Sequence, residues 1–145
     1  MPDGTRATLT WYRGGNNVIS FGRENSKQFR KILGLAPDDP RQAHHIIPWA
    51  LANDASQDVI QKAAQARFPF HVQDALNGIP LNTTQHLGSH SAYTDRVKRA
   101  LEEIKRRYGT HLTPEVAFQE LVDLTNRIKS AILANPNTAL NNLIF

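Results

Sequence analysis

The segment AHHIIP, residues 43–48, constrains the fold more than any other part of the sequence. Two adjacent histidines lead into a short apolar run that a proline ends, and this pattern predicts a brief strand. Successive side chains of a strand point to opposite faces, so His44 and His45 cannot serve the same direction. The two neighbouring imidazoles therefore need two different roles.

Other segments place this strand in an α+β fold. The run NSKQFRKILGL predicts a helix with Asn25 or Ser26 as its N-cap, and Asn77-Gly78 in NGIPLN marks a tight turn before a second short strand. The GGNN stretch between two β-rich runs fits either an N-terminal hairpin or an irregular lead-in. Three further helices are predicted: one capped by Asn53 or Asp54, one from Thr83 or Thr84 to Gly109, and one from Thr113 to Asn135.

Length and composition bound the class of protein. At 145 residues the chain is long enough for one compact domain, 1–145, and too short for two ordinary ones. A content of 40% hydrophobic and 21% charged residues is typical of a soluble globular protein. No apolar run reaches transmembrane length, and the N-terminus lacks the basic start and apolar stretch of a conventional signal peptide.

The sequence has no cysteine and six histidines, so a transition-metal site must use imidazoles and carboxylates. His86 and His90 are four positions apart, and on a helix they would lie on one face and could hold one metal ion together. The alternative is that they are satisfied core residues, because an apolar stripe continues from them along the same helix. This stripe consists of Tyr93, Val97, Leu101, Ile104 and Tyr108.

The two histidine patterns together favour a catalytic site. One member of the His44 and His45 pair could complete a three-histidine metal site with His86 and His90 that leaves coordination positions open. The other, neutral and outside the metal shell, could remove a proton from a nucleophilic water. Asn77 can both donate and accept hydrogen bonds, and could fix a loop or a histidine.

The order AHH on a strand, Asn-Gly before a second strand and then His-x-x-x-His opening a helix resembles the AHH toxin nucleases. This family lies within the HNH or endonuclease VII superfamily of ββα-metal (His-Me finger) nucleases, to which colicin-type DNase domains are more distantly related. The resemblance covers about residues 40–108, predicted as strand, inserted helix, strand and His-bearing helix, with 113–135 as a packing helix. It implies that His44, His86 and His90 bind the metal, that His45 is the general base and that Asn77 orients it.

The resemblance also implies a cofactor, partners and a location. One divalent ion is expected, and three imidazoles suit Zn, Ni, Co or Mn better than an all-oxygen Mg site. The implied protein is a bacterial toxin or effector, a part of a larger secreted polypeptide that reaches a target cell without a conventional signal peptide. A cognate immunity protein would hold it inactive in the producing cell.

Charge and the remaining alternatives complete the prediction. A net charge of +4 and a pI near 9.7 are compatible with a nucleic-acid partner, and Arg41, Arg96 and Arg99 are candidate phosphate contacts. We expect a largely sequence-nonspecific DNA endonuclease. The alternatives are a ribonuclease using the same site and a non-catalytic basic module with a structural metal. A His-Glu-x-x-His metalloprotease is disfavoured because Leu87 follows His86.

Overall fold

A computed structural model describes residues 9–15, 18–54, 56–86 and 90–145. The strands are β1 (Tyr12–Arg13), β2 (Ile19–Ser20), β3 (Gln42–His45) and β4 (Gly78–Leu81). The helices are α1 (Ser26–Ile32), α2 (Trp49–Ala52), α3 (Asp58–Ala63), α4 (Ser91–Tyr108) and α5 (Pro114–Ala134). Short 3-10 helices occupy Ala75–Asn77, Gly109–His111 and Leu140–Asn142. This mixture of helices and two small sheets confirms the predicted α+β class.

The N-terminal hairpin is present as β1 and β2, which pair antiparallel with Tyr12 opposite Ser20. Asn16 and Asn17 of the GGNN turn lie outside the described residues. The side chain of Gln61 in α3 bonds both backbone groups of Ile19, with its Oε1 accepting at 2.9 Å and its Nε2 donating at 2.7 Å. This glutamine therefore attaches β2 to the inserted segment.

Strands β3 and β4 form the sheet that carries the two adjacent histidines. They pair antiparallel, with His44 opposite Ile79 and His45 opposite Gly78. A Cβ atom at Gly78 would lie 2.6 Å from side-chain atoms of both Phe29 and Leu33. A glycine at this position therefore lets α1 pack closely against β4.

Helix α1 begins as predicted, because the side chain of Asn25 accepts a hydrogen bond from the backbone N–H of Gln28 at 2.9 Å. Phe29 and Ile32 are its buried residues. Gly34 follows with a φ of 72°, a left-handed conformation that suits glycine at a helix end.

The inserted segment differs from the predicted single helix. Its two helices are short, and α3 starts at Asp58 after Gln57, whose side chain makes no capping bond. The predicted cap at Asn53 or Asp54 is wrong, because Gln57 holds the N-cap position of α3. The Asn53 side chain instead accepts from Phe21 N at 3.0 Å and donates to Gly22 O at 3.1 Å. These bonds connect the insertion to the segment after β2.

Helix α4 starts later than the sequence pattern predicts. It begins at Ser91 with His90 at the N-cap position, so the prediction that both histidines lie on one helical face is wrong. The reason is Gln85, which is buried and donates from its Nε2 to the carbonyl oxygens of Ile132 and Asn135, at 3.0 Å each. Residues 87–89 lie outside the described part of the chain.

Helix α5 follows its prediction closely. Thr113 caps it by accepting from Val116 N at 3.2 Å, and Pro114 occupies its first turn. It packs against α3 through a buried apolar face, and its core residues are Ala117, Leu121, Leu124, Ile128 and Ile132. Among the described residues, no helix is both long and apolar enough to cross a bilayer.

Candidate active site

One pocket of about 280 Å³ brings the candidate histidines together. It is lined by side chains from β3, from the segment before α4 and from the residues ahead of α1. The lining includes Glu24, His44, His45, Trp49, His86 and His90. A larger cavity of about 470 Å³ lies on another side of Trp49, next to Gln73 and the N-terminal hairpin, and none of the candidate metal ligands lines it.

His44, His86 and His90 form one group of imidazoles in this pocket. The ring centroids of His86 and His90 are 4.6 Å apart, and those of His44 and His90 are 6.0 Å apart. Two imidazoles that share a tetrahedral ion at about 2.0–2.1 Å from each nitrogen have ring centres roughly 5 Å apart. The two measured separations lie on either side of that value. We call these three residues the histidine cluster.

The nitrogen atoms of the cluster indicate what could bind there. The Nε2 atoms of His44 and His90 are both buried, and neither has a hydrogen-bond partner in the described part of the chain. A buried polar atom without a partner costs about 1–3 kcal/mol, so two of them side by side indicate a group that binds here. Lone pairs on imidazole nitrogens are suitable ligands for a divalent ion.

Electrostatics keep the cluster in the state that metal binding requires. Burial is the main cause that lowers the pKa of His44 to about 3, and the neighbouring His90, His45 and His86 contribute to the same shift. Burial, followed by the neighbouring His86, also lowers the pKa of His90. His44 and His90 are therefore neutral at pH 7 and able to donate their lone pairs.

The donor set fits a divalent metal, although it is not a closed site. Across residues 9–15, 18–54, 56–86 and 90–145, no three His, Asp or Glu side chains are close enough together to form a metal site. The ring centroids of His44 and His90, at 6.0 Å, are about 1 Å further apart than those of two imidazoles that share one ion. The residues that would hold the ion are His44, His86 and His90.

His45 lies in a different environment from His44. Its ring stacks on Phe29 with centroids 3.8 Å apart and an interplanar angle of 2°, and its edge faces Trp49. Its Nε2 is 2.7 Å from Oε1 of Gln73, and its Nδ1 is 3.5 Å from Oε1 of Glu24. Burial lowers the pKa of His45, while the bond to Gln73 and the charge of Glu24 act in the opposite direction.

Asn77 is fully buried, and its side chain bonds main-chain groups. Its Oδ1 accepts from Ile47 N at 2.8 Å, and its Nδ2 donates to Ile47 O at 3.1 Å and to Val72 O at 2.9 Å. Of the two options left open by the sequence, these bonds correspond to fixing a loop. The side chain holds the backbone two residues after His45, and the bonds to the His45 ring come from other residues.

The three arginines selected from the sequence differ in their surroundings. Arg41 forms an ion pair with Asp39 at 2.8 Å, and its side chain is 46% exposed. Arg96 donates to the carbonyl oxygens of Leu143 and Asn141 at 2.7 Å each, so it holds the C-terminal segment and we do not retain it as a phosphate contact. Arg99 is exposed on α4.

Sequence reasoning missed the residues around His45. Glu24 precedes α1, Gln73 lies in the connection before β4, and Phe29 belongs to α1. No spacing relates these residues to the AHH segment, and Gln73 is 28 positions from His45. Only Phe29 has a sequence signal, because it stands at helical spacing from the apolar Ile32 and Leu33 in the run NSKQFRKILGL.

The pocket is lined by three imidazoles that could hold a metal and by a separately held fourth histidine, His45. A metal beside a general base is a combination that can hydrolyse phosphodiester bonds. A family model described as a nuclease family of the HNH/ENDO VII superfamily with conserved AHH matches residues 30–129. The chain therefore belongs to the AHH nuclease family and is a phosphodiester hydrolase. Neither the curated proteins nor the solved structures compared with it gave a match.

Proposed function

We propose that this nuclease is a metal-dependent, largely sequence-nonspecific DNA endonuclease with His45 as its general base. The observation that carries the proposal is the division at β3: His44 joins a cluster with partnerless buried nitrogens, whereas His45 is stacked and hydrogen-bonded outside that cluster. A general base must be held in orientation and must keep its lone pair off the metal. The stacking and the hydrogen bond of the His45 ring support the first requirement, and its place outside the histidine cluster supports the second.

The residues divide the chemistry in a defined way. His45 removes a proton from the water that attacks phosphorus, and Phe29 and Trp49 restrict the tilt of its ring. A divalent ion bound here would act as a Lewis acid for charge on the phosphate and on the leaving oxygen. His44, His86 and His90 would hold it, with Zn, Ni, Co, Mn or Mg as candidates.

The exposed cationic side chains of the protein support a nucleic-acid substrate. The net charge of +4 favours a polyanion, and Arg99 with Lys98 gives α4 exposed cationic side chains. Other basic residues of α4 are paired, Lys105 with Asp58 and Arg106 with Glu103. Contacts of exposed cations with phosphates carry no base information, so cleavage at many sequences is expected.

The test is a cleavage assay on two substrates. Purified protein is incubated with supercoiled plasmid and with RNA, each with Zn, Ni, Mn, Co, Mg or a chelator, and His45→Ala is the matched control. We expect nicked and linear plasmid that chelator abolishes, with cut ends at many positions. Faster cleavage of RNA would instead establish the ribonuclease alternative. Discrete cut sites in the plasmid would contradict the proposal that cleavage is sequence-nonspecific.

The biological role is proposed as that of a delivered toxin. The resemblance to AHH toxin nucleases supports a domain of a larger secreted polypeptide that enters a target cell and is held inactive in its producer by an immunity protein. Inducible expression of the chain in the cytoplasm of a bacterium without that inhibitor should stop growth and fragment the chromosome. His45→Ala expressed to the same level should do neither.

A further inference from the structure

The side-chain amide of Gln73 has only one orientation that its surroundings allow. Gln73 is 1% exposed, and its Nε2 donates to the carbonyl oxygen of Asn25 at 2.6 Å. A reversed amide would place Oε1 against that carbonyl, bringing two acceptors together. The Oε1 atom therefore faces the ring of His45.

That orientation decides which nitrogen of His45 carries the proton. Oε1 of Gln73 can only accept a hydrogen bond, and it lies 2.7 Å from Nε2 of His45. A neutral imidazole has one N–H, so the proton of His45 is on Nε2 and the lone pair is on Nδ1. Nδ1 lies on the side of the ring nearest Glu24, and Glu24 lines the same pocket as the histidine cluster.

The main chain of Gln73 is held from the other side by His71. The backbone N–H of Gln73 donates to Nδ1 of His71 at 3.0 Å, and Nε2 of His71 lies 3.0 Å from the carbonyl oxygen of Thr10. Because Nδ1 of His71 accepts, its own proton is on Nε2 and is donated to Thr10. His71 therefore has a structural role, because it fixes the position of Gln73.

We infer that Gln73 is a positioning residue for the reaction: it keeps His45 in the tautomer with hydrogen on Nε2, so that Nδ1 accepts the proton of the attacking water. The inference rests on the proposed function of His45. In the step, the water O–H bond breaks, a proton moves to Nδ1 and the hydroxide oxygen bonds phosphorus while the leaving oxygen departs. Gln73 Oε1 and the Glu24 carboxylate then face the two N–H groups of the imidazolium.

The first test is direct and uses the wild-type protein. In metal-free protein at about pH 8, imidazoles with a reference pKa near 6.5 are neutral, and nitrogen NMR of the His45 ring shows which atom is protonated. We expect a bound proton on Nε2 with a downfield resonance that exchanges slowly with solvent. A proton on Nδ1 overturns the inference without any substitution.

The second test uses three variants. Gln73→Met removes the acceptor and should lower kcat by about 10- to 100-fold, part of the roughly 10²- to 10⁴-fold that a general base supplies, with KM and metal affinity unchanged. Gln73→Glu keeps an acceptor and should recover part of kcat and the Nε2 proton signal. The matched control is Gln61→Met, which loses both hydrogen bonds of its side-chain amide to the backbone of Ile19 and should keep the wild-type kcat.

The outcomes separate the two proposals. A Gln73→Met variant with wild-type kcat, or one in which the proton of His45 stays on Nε2, overturns the role of Gln73. If the wild type cleaves neither plasmid nor RNA, the proposed function fails, while NMR still reads the protonated nitrogen of His45 and decides whether Gln73 sets the tautomer.

Discussion

His44 and His45 are consecutive residues of β3, but their rings differ in hydrogen bonding. The Nε2 of His44 is buried without a partner among the described residues, next to His90. The ring of His45 has Gln73 at one nitrogen, Glu24 near the other, and Phe29 against its face. The contrast fits the two roles proposed for this strand. Imidazole nitrogens without a partner can bind a metal, whereas a ring held on three sides keeps the orientation that proton transfer needs.

The largest expected effect comes from a substitution of His45 that leaves the histidine cluster unchanged. His45→Ala should lower the cleavage rate by about 10²- to 10⁴-fold because only the proton acceptor is lost, while metal affinity stays near the wild-type value. Plasmid cleavage and calorimetric titration with Zn or Ni measure the two quantities. A loss of metal affinity in His45→Ala as large as that in His90→Ala would contradict the division of roles between His45 and the histidine cluster.

In the histidine cluster, His90→Ala should weaken both metal binding and cleavage. Loss of an outer-shell partner alone costs about 10- to 100-fold in metal affinity, and removing a ligand should cost more than about 100-fold. Titration of the variant with Zn or Ni gives the affinity. The control is His111→Ala, an exposed histidine outside the pocket, which should bind metal as the wild type does. Unchanged affinity in His90→Ala would remove it from the ligand set.

Gly78→Ala should disturb the packing around His45 and leave the histidine cluster unchanged. The new Cβ would meet Phe29, the ring on which His45 stacks, and overpacking of this kind costs roughly 1–3 kcal/mol of unfolding free energy. We expect lower stability and a lower kcat with metal affinity retained. Gly15→Ala is the control, because no atom lies within 4 Å of its added Cβ. A stable Gly78→Ala variant with full activity would contradict the argument.

Acid should destabilise the metal-free protein mainly through the cluster. The pKa of His44 is lowered to about 3 in the folded state, so the unfolded chain binds more protons below about pH 6.5 and stability is lost as the pH falls. At about pH 5 this residue alone costs about 2 kcal/mol. Urea unfolding at about pH 7.5 and pH 5 measures the loss, and His44→Leu should reduce it. Equal stability at both pH values would contradict the buried neutral state.

The smallest effect separates two arginines of α4. Arg99→Ala should reduce the slope of log affinity for DNA against log salt by about 0.9, the value for one phosphate contact, with stability within about 0.5 kcal/mol. Arg96→Ala should lower stability instead, because its guanidinium bonds two carbonyl oxygens of the C-terminal segment. Titration of labelled duplex at several salt concentrations and urea unfolding distinguish them. Identical results for both variants would contradict this assignment.

Several elements could be predicted because their signals are local. Thr113 and Pro114 start α5 through a cap and a fixed φ angle, and Asn25 caps α1 in the same way. The start of α4 could not be predicted, since the amide of Gln85 is bonded to carbonyl oxygens of Ile132 and Asn135. A capping signal at Thr83 or Thr84 is weaker than a buried glutamine that satisfies the end of another helix.

The sequence by itself determined that His44 and His45 lie on opposite faces, because side chains alternate along any strand. It also indicated, through the AHH segment and the two later histidines, which family the chain belongs to. Only the tertiary structure decided that Gln73, Glu24 and Phe29 surround His45. Local patterns follow from the regular geometry of helices and strands, which sets the spacing of side chains along the sequence. Contacts between distant segments depend on how the helices and strands pack, and no spacing in the sequence predicts them.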